Sequence, residues 1–173
     1  MLKTNLLRLS FLLGATTLAL AEGQGKGEFK ANLTGYSEIP AVVTSGTGQL
    51  TVTPSSDQKS LDITLKFANL VGVAQTASLY LGLPATTGGV VAPICGGTQP
   101  ACPTSASGTV TVTLAAADIE AIAAQGLAAG DIASVIQAMA SGALYVNLAT
   151  DKFATGEIRG QLGRGLGLGH SDR

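Results

Sequence analysis

The chain has 173 residues, a length suited to one domain of ordinary size. Hydrophobic residues make up 46% of it and charged residues only 12%, about half the roughly 25% of a typical soluble domain. Lys and Arg number 10 against 11 Asp and Glu, which excludes a strongly basic surface for nucleic acid or anionic lipid. There is no Trp and a single histidine, His170, so most chemistry that needs a histidine base or ligand is excluded.

Residues 1–21 are expected to be a secretory signal peptide. Lys3 and Arg8 give a positively charged start, residues 9–20 are mostly apolar, and Ala19-Leu20-Ala21 is a small-x-small cleavage site. We therefore expect cleavage after Ala21 and a secreted, periplasmic or extracellular product. The apolar stretch is shorter than the ~20 residues that a membrane-spanning helix needs, so no membrane span is expected after cleavage.

Alternation of apolar and polar residues recurs through most of the remaining chain. Segments 61–67, 109–114 and 144–149 show it most clearly, and this period of two is typical of half-buried strands. Turn residues such as Thr87-Gly88-Gly89 separate the segments. Many short strands at this spacing predict an all-β, antiparallel Greek-key β-sandwich or barrel of about eight strands.

Residues 116–141 break the alternation and predict a short helical insertion. They are mostly good helix formers, interrupted by Gly126 and Gly130. A helix beginning after Asp131 would place four apolar residues on one face, namely Ile132, Val135, Ile136 and Met139. A shorter helix over residues 118–125 is expected before it. The apolar face would pack on the open end or edge of the sandwich.

Cys95 and Cys102 are the two cysteines of the chain, and a short loop with Gly and Pro separates them. An exported protein enters an oxidising compartment, so this pair predicts a structural disulfide. A redox-active pair is disfavoured, because the two-residue spacing and a nearby cation are missing.

Between Lys66 and Asp118 the chain has no Asp, Glu, Lys or Arg. The side chains of this stretch therefore cannot form a site for a charged ligand. The stretch is compatible with the neutral surface of a secreted β protein, and also with a contact face for self-association or a polysaccharide. No cluster of His, Cys or carboxylates has metal-ligand spacing, so we expect no catalytic residue, metal or cofactor.

Residues 163–173 are expected to form a flexible tail, because glycine alternates with single residues as far as Gly169. His170 lies in this segment, which disfavours a catalytic or metal-binding role, since a productive site needs rigid support. Asn32-Leu33-Thr34 matches an N-glycosylation acceptor, and the sequence leaves open whether Asn32 is modified.

Two segments resemble the beginning and end of CHRD domains, the module named after chordin. The first is Phe29-Lys30-Ala31-Asn32-Leu33-Thr34-Gly35-Tyr36-Ser37-Glu38-Ile39-Pro40, and the second is Gly156-Glu157-Ile158-Arg159-Gly160-Gln161-Leu162. The resemblance covers about residues 28–162 and implies a Greek-key sandwich, superoxide-dismutase-like or Ig-like. The positions that match the family signature are Glu38, Pro40, Gly156, Glu157, Arg159 and Gly160.

We first interpret the signature residues as structural. Glu38 and Pro40 are expected to shape a turn near one end of the sandwich. Glu157 and Arg159 lie two residues apart, which predicts one strand face and a surface or edge ion pair, worth at most ~1 kcal/mol if exposed. A role of this pair in binding a ligand or partner stays open.

The chain departs from the family at its histidines. CHRD domains usually have Ala-His-Ile-His-x-Gly in a central strand, where this chain has Ala77-Ser78-Leu79-Tyr80-Leu81-Gly82. Ala149 also stands where the family usually has a histidine. Ser and Tyr are poor ligands for the metals that imidazole suits, and Ala is none. We therefore expect this chain to lack any metal site that the family's histidines would form.

The resemblance implies an exported, non-enzymatic domain that binds a protein or a cell-surface component such as a polysaccharide. One alternative is a structural or matrix protein that self-associates through its uncharged strands. A second alternative, a metal-dependent oxidoreductase of dismutase-like ancestry, is disfavoured by the missing histidines.

Overall fold

Residues 27–164 are described by the computed structural model of the protein. The expected signal peptide with its cleavage site at Ala21, and residues 165–173 with His170, lie outside the described residues. The α-helix is α1 (Ile132–Ala140). The strands are β1 (Phe29–Thr34), β2 (Thr47–Pro54), β3 (Ser60–Ala68), β4 (Ala74–Leu81), β5 (Gly89–Cys95), β6 (Gly108–Ala115), β7 (Leu144–Thr150), β8 (Ile158–Gln161) and β9 (Gly163–Arg164).

The strands pair antiparallel in one continuous sheet. Their order is β5-β4-β7-β8-β1-β2-β3-β6, and β9 also pairs with β1. β3 pairs with β6 rather than with β4, so the chain makes the long crossover of a Greek key. The two end strands, β5 and β6, approach each other, and the sheet is nearly closed around one core. The predicted all-β fold with a small helical insertion is confirmed.

β3 shows why these segments form strands. Leu61, Ile63 and Leu65 are fully buried, while the residues between them are polar and less buried. Ile63 lies between Val52 of β2 and Val112 of β6 in the register of the sheet. Each fully buried aliphatic side chain contributes about 1.5–3 kcal/mol, so the period of two in the sequence determines which face is inside.

The helical insertion lies between β6 and β7, where the sequence predicts it. Asp131 caps α1, because its Oδ1 accepts a hydrogen bond of 3.0 Å from the backbone N–H of Ser134. Three apolar residues of α1 are buried in the core, namely Ile132, Val135 and Met139. Gly142 follows the helix with a φ of +71°, a conformation that favours glycine at the end of a helix.

The shorter helix predicted over residues 118–125 is wrong. The structure has 3₁₀ turns at Ala116–Asp118 and Ala123–Gln125 instead. Between them, the backbone N–H of Glu120 donates to the carbonyl of Val91 on β5. This contact with the sheet replaces a helical hydrogen bond, so the segment follows the edge of the barrel rather than coiling.

Cys95 and Cys102 form the predicted disulfide, with an S–S distance of 1.98 Å. Both residues are buried, and the bond joins the end of β5 to the loop that leads to β6. Closing a loop of this size stabilises the fold by ~2–3 kcal/mol in chain-entropy terms.

The first two residues of the predicted tail are part of the sheet. Gly163 lies opposite Lys30 and Arg164 opposite Phe29, so β9 adds a short pairing to β1. The flexibility expected for the rest of the tail concerns residues outside the described part. Within residues 27–164, no helix is long and apolar enough to span a membrane.

Candidate binding site

The candidate site lies on the outer face of the sheet, across β4, β7 and β8. One row of this face contains Ser78, Asn147 and Arg159, which lie opposite one another in the strand register. The next row contains Tyr80, Tyr145 and Gln161 in the same arrangement. The residues that alternate with them face the core and are buried, so these six side chains point away from the core.

Tyr145 lies at the centre of a stack of three side chains. Its ring is 5.0 Å from that of Tyr80, with 7° between the two planes. The guanidinium carbon of Arg159 lies 3.5 Å from the centroid of the Tyr145 ring. Cation–π contacts contribute about 0.5–1 kcal/mol at exposed sites and about 2 kcal/mol when desolvated, and Tyr145 and Arg159 are both buried. The stack therefore holds the guanidinium in one orientation.

The loop between β4 and β5 covers part of this outer face. Arg159 Nη2 donates a hydrogen bond of 2.6 Å to the carbonyl of Thr86. Gln161 Nε2 donates to the carbonyl of Gly82 at 2.9 Å, and the backbone N–H of Gly88 donates to the Tyr145 hydroxyl at 3.2 Å. These bonds attach the loop to side chains of β7 and β8.

Glu38 approaches the same face from the loop that follows β1. Its side chain is only 7% exposed. Oε2 accepts a hydrogen bond of 3.1 Å from Asn147 Nδ2, whereas Oε1 is buried without any hydrogen-bond partner among the described residues. Pro40, two residues on, follows a cis peptide bond and is exposed. Glu38 directly follows the 3₁₀ turn Gly35–Ser37, and its turn-shaping role stays a prediction, whereas the burial of its carboxyl was not predicted.

The environment of Glu38 favours its neutral form. Burial raises the pKa of Glu38 to about 7, and the charge of Arg159, the backbone N–H of Ile39 and the hydrogen bond from Asn147 only partly offset this effect. No ion pair forms between the Glu38 carboxylate and the guanidinium. A carboxyl group with such a pKa changes from neutral to charged near neutral pH.

A cleft of about 260 Å³ separates the two loops. Tyr36 and Ile39 lie on one side of it, Pro84 on the other, and Arg159 with Glu38 forms a polar floor. We call this the outer cleft; the residues that line it are Tyr36, Ser37, Glu38, Ile39, Pro84, Ala85, Arg159 and Gln161. It combines apolar walls with a few polar groups, the usual composition of a ligand site.

A larger depression of about 400 Å³ lies on the outer face of β1, β2 and β3. Asn32, Gln49 and Lys66 are among its lining residues. It is shallow, and none of the buried polar residues of the described chain lies in it. The outer cleft is therefore the better candidate for a specific site.

Glu157 has a structural role that the sequence did not suggest. Its carboxylate is fully buried and accepts four hydrogen bonds. Oε1 accepts from the Thr44 hydroxyl at 2.7 Å and the Val71 N–H at 2.6 Å. Oε2 accepts from the Gly72 N–H at 3.1 Å and the Thr150 hydroxyl at 2.9 Å. Burial raises the pKa of Glu157, but these bonds outweigh it and leave the pKa below its usual value.

The predicted surface ion pair between Glu157 and Arg159 is therefore wrong. Both side chains are buried and they bind different partners. β8 begins at Ile158, and Gly156 has a φ of +141°. The backbone turns there, so strand alternation does not extend to Glu157 and the two side chains do not share a face.

The two signature glycines lie where a side chain would collide with a neighbour. A Cβ at Gly156 would lie 2.6 Å from Glu38 Oε1. A Cβ at Gly160 would lie 2.5 Å from the carbonyl oxygen of Asn32 on β1. Gly156 therefore makes room for the buried Glu38 carboxyl, and Gly160 allows close approach between β8 and β1.

The positions where the family usually has histidines lie on the same outer face. Ser78 is buried, Tyr80 stacks on Tyr145, and Ala149 follows Asn147 by two residues on β7. Within residues 27–164, no three His, Cys, Asp or Glu side chains lie close enough together to hold a metal ion. The absence of a metal site in the protein stays a prediction.

Sequence reasoning did not select Tyr145, Asn147 or Thr86. A signal was available for the first two, because alternation in segment 144–149 places them outward, beside Tyr80 and Ser78 of the neighbouring strand. Thr86 contributes only its carbonyl oxygen, and side-chain chemistry cannot reveal such a residue.

The fold and site define an all-β, disulfide-linked module with a cleft between two loops on the outer face of its sheet. The chain belongs to the CHRD domain family, whose model matches residues 29–162, so the predicted resemblance is confirmed. CHRD domains are in general non-enzymatic modules of extracellular type, which the disulfide fits. Neither the curated proteins nor the solved structures contain a match to the chain.

Proposed function

We propose that this CHRD domain is an exported, non-enzymatic module that binds a protein or a cell-surface component through the outer cleft. The supporting observation is the arrangement of exposed apolar residues around a buried charged floor. Tyr36 is 72% exposed and Ile39 40% on one loop, and Pro84 is exposed on the other. Exposed apolar groups that surround polar anchors are typical of binding surfaces.

The floor of the cleft is arranged before any partner arrives. The Tyr145 ring and the Thr86 carbonyl hold Arg159 in place. A side chain that is already fixed loses little conformational entropy on binding, which favours affinity. Arginine and tyrosine are also the residue types that most often dominate binding energy at interfaces.

Two double variants test the use of the cleft. In Tyr36→Ser/Ile39→Ser two exposed apolar side chains that line the cleft are replaced; the matched control is Val43→Ser/Val71→Ser, which replaces exposed apolar residues outside the cleft. Each protein is used to capture partners from the extracellular or envelope fraction of its own host. We expect the cleft variant to lose the partners that the parent and the control retain. Equal capture by all three proteins would refute binding through the cleft.

Export is tested separately by intact-mass measurement of protein recovered outside the producing cell. Cleavage after Ala21 predicts a chain that begins at Glu22, and the Cys95–Cys102 bond predicts a mass two hydrogens lower than that of the reduced chain. Recovery of only the uncleaved chain inside the cell would contradict the proposed location.

Self-association is the second candidate, because one edge of the sheet favours it. β6 pairs with β3, and its other edge has no hydrogen-bonded strand in the described part of the chain. Its sequence is uncharged, and such edges pair readily with other chains. Analytical ultracentrifugation of the parent and of Thr111→Lys distinguishes the two functions. A concentration-dependent oligomer that the substitution abolishes would favour self-association, and a stable monomer would reject it.

A further inference from the structure

We propose that the outer cleft binds the C-terminal carboxylate of a peptide through Arg159, and that Glu38 holds a proton while the ligand is bound. This inference rests on the proposed function, since it names the chemical group that enters the same cleft. It commits to a peptide whose last side chain is apolar.

Arg159 has the geometry of a carboxylate receptor. A guanidinium has five N–H donors in a planar fork, and the described residues supply one hydrogen-bond acceptor to it, the Thr86 carbonyl. One face of the group lies against Tyr145, while its side chain lines the outer cleft. A buried cation with unused donors is unfavourable until an anion supplies them with acceptors. Carboxylates match the fork with two parallel hydrogen bonds.

Glu38 is the group that a ligand carboxylate would meet next to Arg159. Its Oε1 is buried and has no partner among residues 27–164, and the side chain is more than nine-tenths buried. Two ionised carboxylates in one small site repel each other strongly. A protonated Glu38 removes the repulsion, and its O–H donates a hydrogen bond to the ligand.

The protonation state of Glu38 is set by its burial and by three neighbouring groups. Arg159 of β8, the backbone N–H of Ile39 and the neutral amide of Asn147 on β7 lower the pKa of Glu38, but burial outweighs them, so the pKa is about 7. Tyr80 of β4 is neutral near pH 7, and burial raises its pKa further above its usual value. Glu38 is therefore the group of this cluster that changes charge near neutral pH. Above pH 7, the binding of one ligand is accompanied by the uptake of up to one proton, which buffer or water supplies and which forms the O–H bond of Glu38; the ligand itself is not chemically changed.

The walls of the cleft favour a peptide terminus over a sugar acid. Ile39 and Pro84 give the cleft apolar sides, and Tyr36 lies at its mouth. Burial of an apolar side chain next to the carboxylate against these walls is favourable, because apolar surface is removed from water. Burial of the hydroxyl groups of a uronate there is unfavourable, because they would lose hydrogen bonds to water that apolar walls cannot replace. The volume of about 260 Å³ accommodates one residue of this kind.

Calorimetric titration of the exported protein tests the proposal. The probes are N-acetyl-leucyl-leucine with a free carboxylate, the same dipeptide with a C-terminal amide, and glucuronate. We expect the acid to bind at least tenfold more tightly than the amide at pH 6. Its affinity should fall up to tenfold per pH unit above pH 7, with proton uptake seen as a dependence of the heat on the buffer. Equal affinity for acid and amide would overturn the proposal. Tighter binding of glucuronate than of the dipeptide acid would show that the carboxylate belongs to a sugar acid and not to a peptide terminus.

The variant Glu38→Gln separates the proton from the rest of the site. The amide is neutral at every pH, so the variant should bind the acid with the same affinity from pH 6 to pH 9. A pH dependence that persists in this variant would show that another group titrates, which contradicts the role of Glu38. Arg159→Lys should lose at least tenfold in affinity for the acid, with circular dichroism as the check that the variant folds.

The two proposals fail in different ways. If capture of host partners requires the cleft residues while acid and amide dipeptides bind equally, the proposed function stands and the carboxylate inference is wrong. If the acid binds but capture does not depend on Tyr36 and Ile39, the carboxylate site stands and the proposed function is wrong.

Discussion

Glu38 and Arg159 line the same cleft with opposite formal charges, yet they form no ion pair. The guanidinium donates instead to the Thr86 carbonyl, and the Glu38 carboxyl leaves Oε1 without a partner. A buried pair that neutralised itself would leave nothing for a ligand to complete. Because the two groups do not neutralise each other, both remain available to a ligand, and this makes the outer cleft a candidate site. The burial of the Glu38 carboxyl without an ion pair lowers the stability of the fold by an amount that can be measured.

The pH dependence of stability should report that cost. Because the pKa of Glu38 is about 7 in the fold, against an ordinary value of 4.5 that applies to the unfolded chain, the folded state binds the proton more tightly. Stability is therefore highest below about pH 4.5 as far as this group is concerned, and it falls as the pH rises to 7. Urea unfolding should show a loss of about 1–3 kcal/mol across this window, allowing for solvent screening in the cleft.

The variant Glu38→Gln should remove this loss, because the amide does not titrate. The difference in unfolding free energy between variant and parent should shift in favour of the variant as the pH rises from 5 to 8. A difference that is constant with pH would mean that Glu38 titrates at an ordinary carboxyl pKa, contrary to its burial in the structure.

Glu157→Gln should destabilise the fold by about 2–4 kcal/mol. The four donors around Glu157 converge on a carboxylate, and the NH₂ group of Gln cannot accept hydrogen bonds from them. The loops at Thr44 and Val71 would lose their common anchor.

The matched control is Glu28→Gln, which removes an exposed ion pair of 2.8 Å with Lys30. Denaturant unfolding should show a cost below about 1 kcal/mol for this control. Equal costs for Glu157→Gln and Glu28→Gln would contradict the anchoring role of Glu157.

Gly156→Ala should cost more stability than Gly142→Ala, although both glycines have positive φ. Around Gly142 there is open space, so its substitution should cost only about 1 kcal/mol of backbone strain. At Gly156 a Cβ would collide with Asn147 and with Glu38 Oε1, and we expect about 3 kcal/mol or more. Thermal unfolding of the two variants provides the comparison, and similar losses would show that Glu38 does not lie against Gly156.

The domain should hold no transition metal at a defined site, because Ser78, Tyr80 and Ala149 stand at the family's usual histidine positions. A chain that ends at Arg164 retains β9 and removes His170 from the measurement. After dialysis against a mild chelator, elemental analysis should find no stoichiometric copper, zinc, iron or manganese. One tightly held equivalent of any of these metals would restore the oxidoreductase alternative.

Local patterns predicted the parts of the fold that depend on neighbours in the sequence. Alternation identified the inward residues of β3, because a strand repeats every two residues. Asp131 was recognisable as a helix cap, since its acceptor lies three residues before the N–H that it binds. The disulfide followed from the compartment and from the short loop between Cys95 and Cys102.

The site depends on contacts between residues far apart in the chain, which local patterns do not contain. The Glu38 carboxyl is buried because a loop after β1 folds onto Asn147 of β7. Glu157 was misplaced because strand alternation was extended through Gly156, where the backbone turns. Strand register decides which outward residues meet, and it emerges only when the whole sheet is formed.

The most direct test of the outer cleft is an NMR titration of the Glu38 side-chain carboxyl carbon, with and without N-acetyl-leucyl-leucine. The chemical shift of this carbon reports the protonation of Glu38 itself, independently of stability or affinity. The structure predicts a midpoint near pH 7 in the free protein, and the carboxylate ligand should move it upward by about one unit if it binds tenfold more tightly to protonated Glu38. A midpoint near pH 4.5 that the ligand does not move would contradict the account.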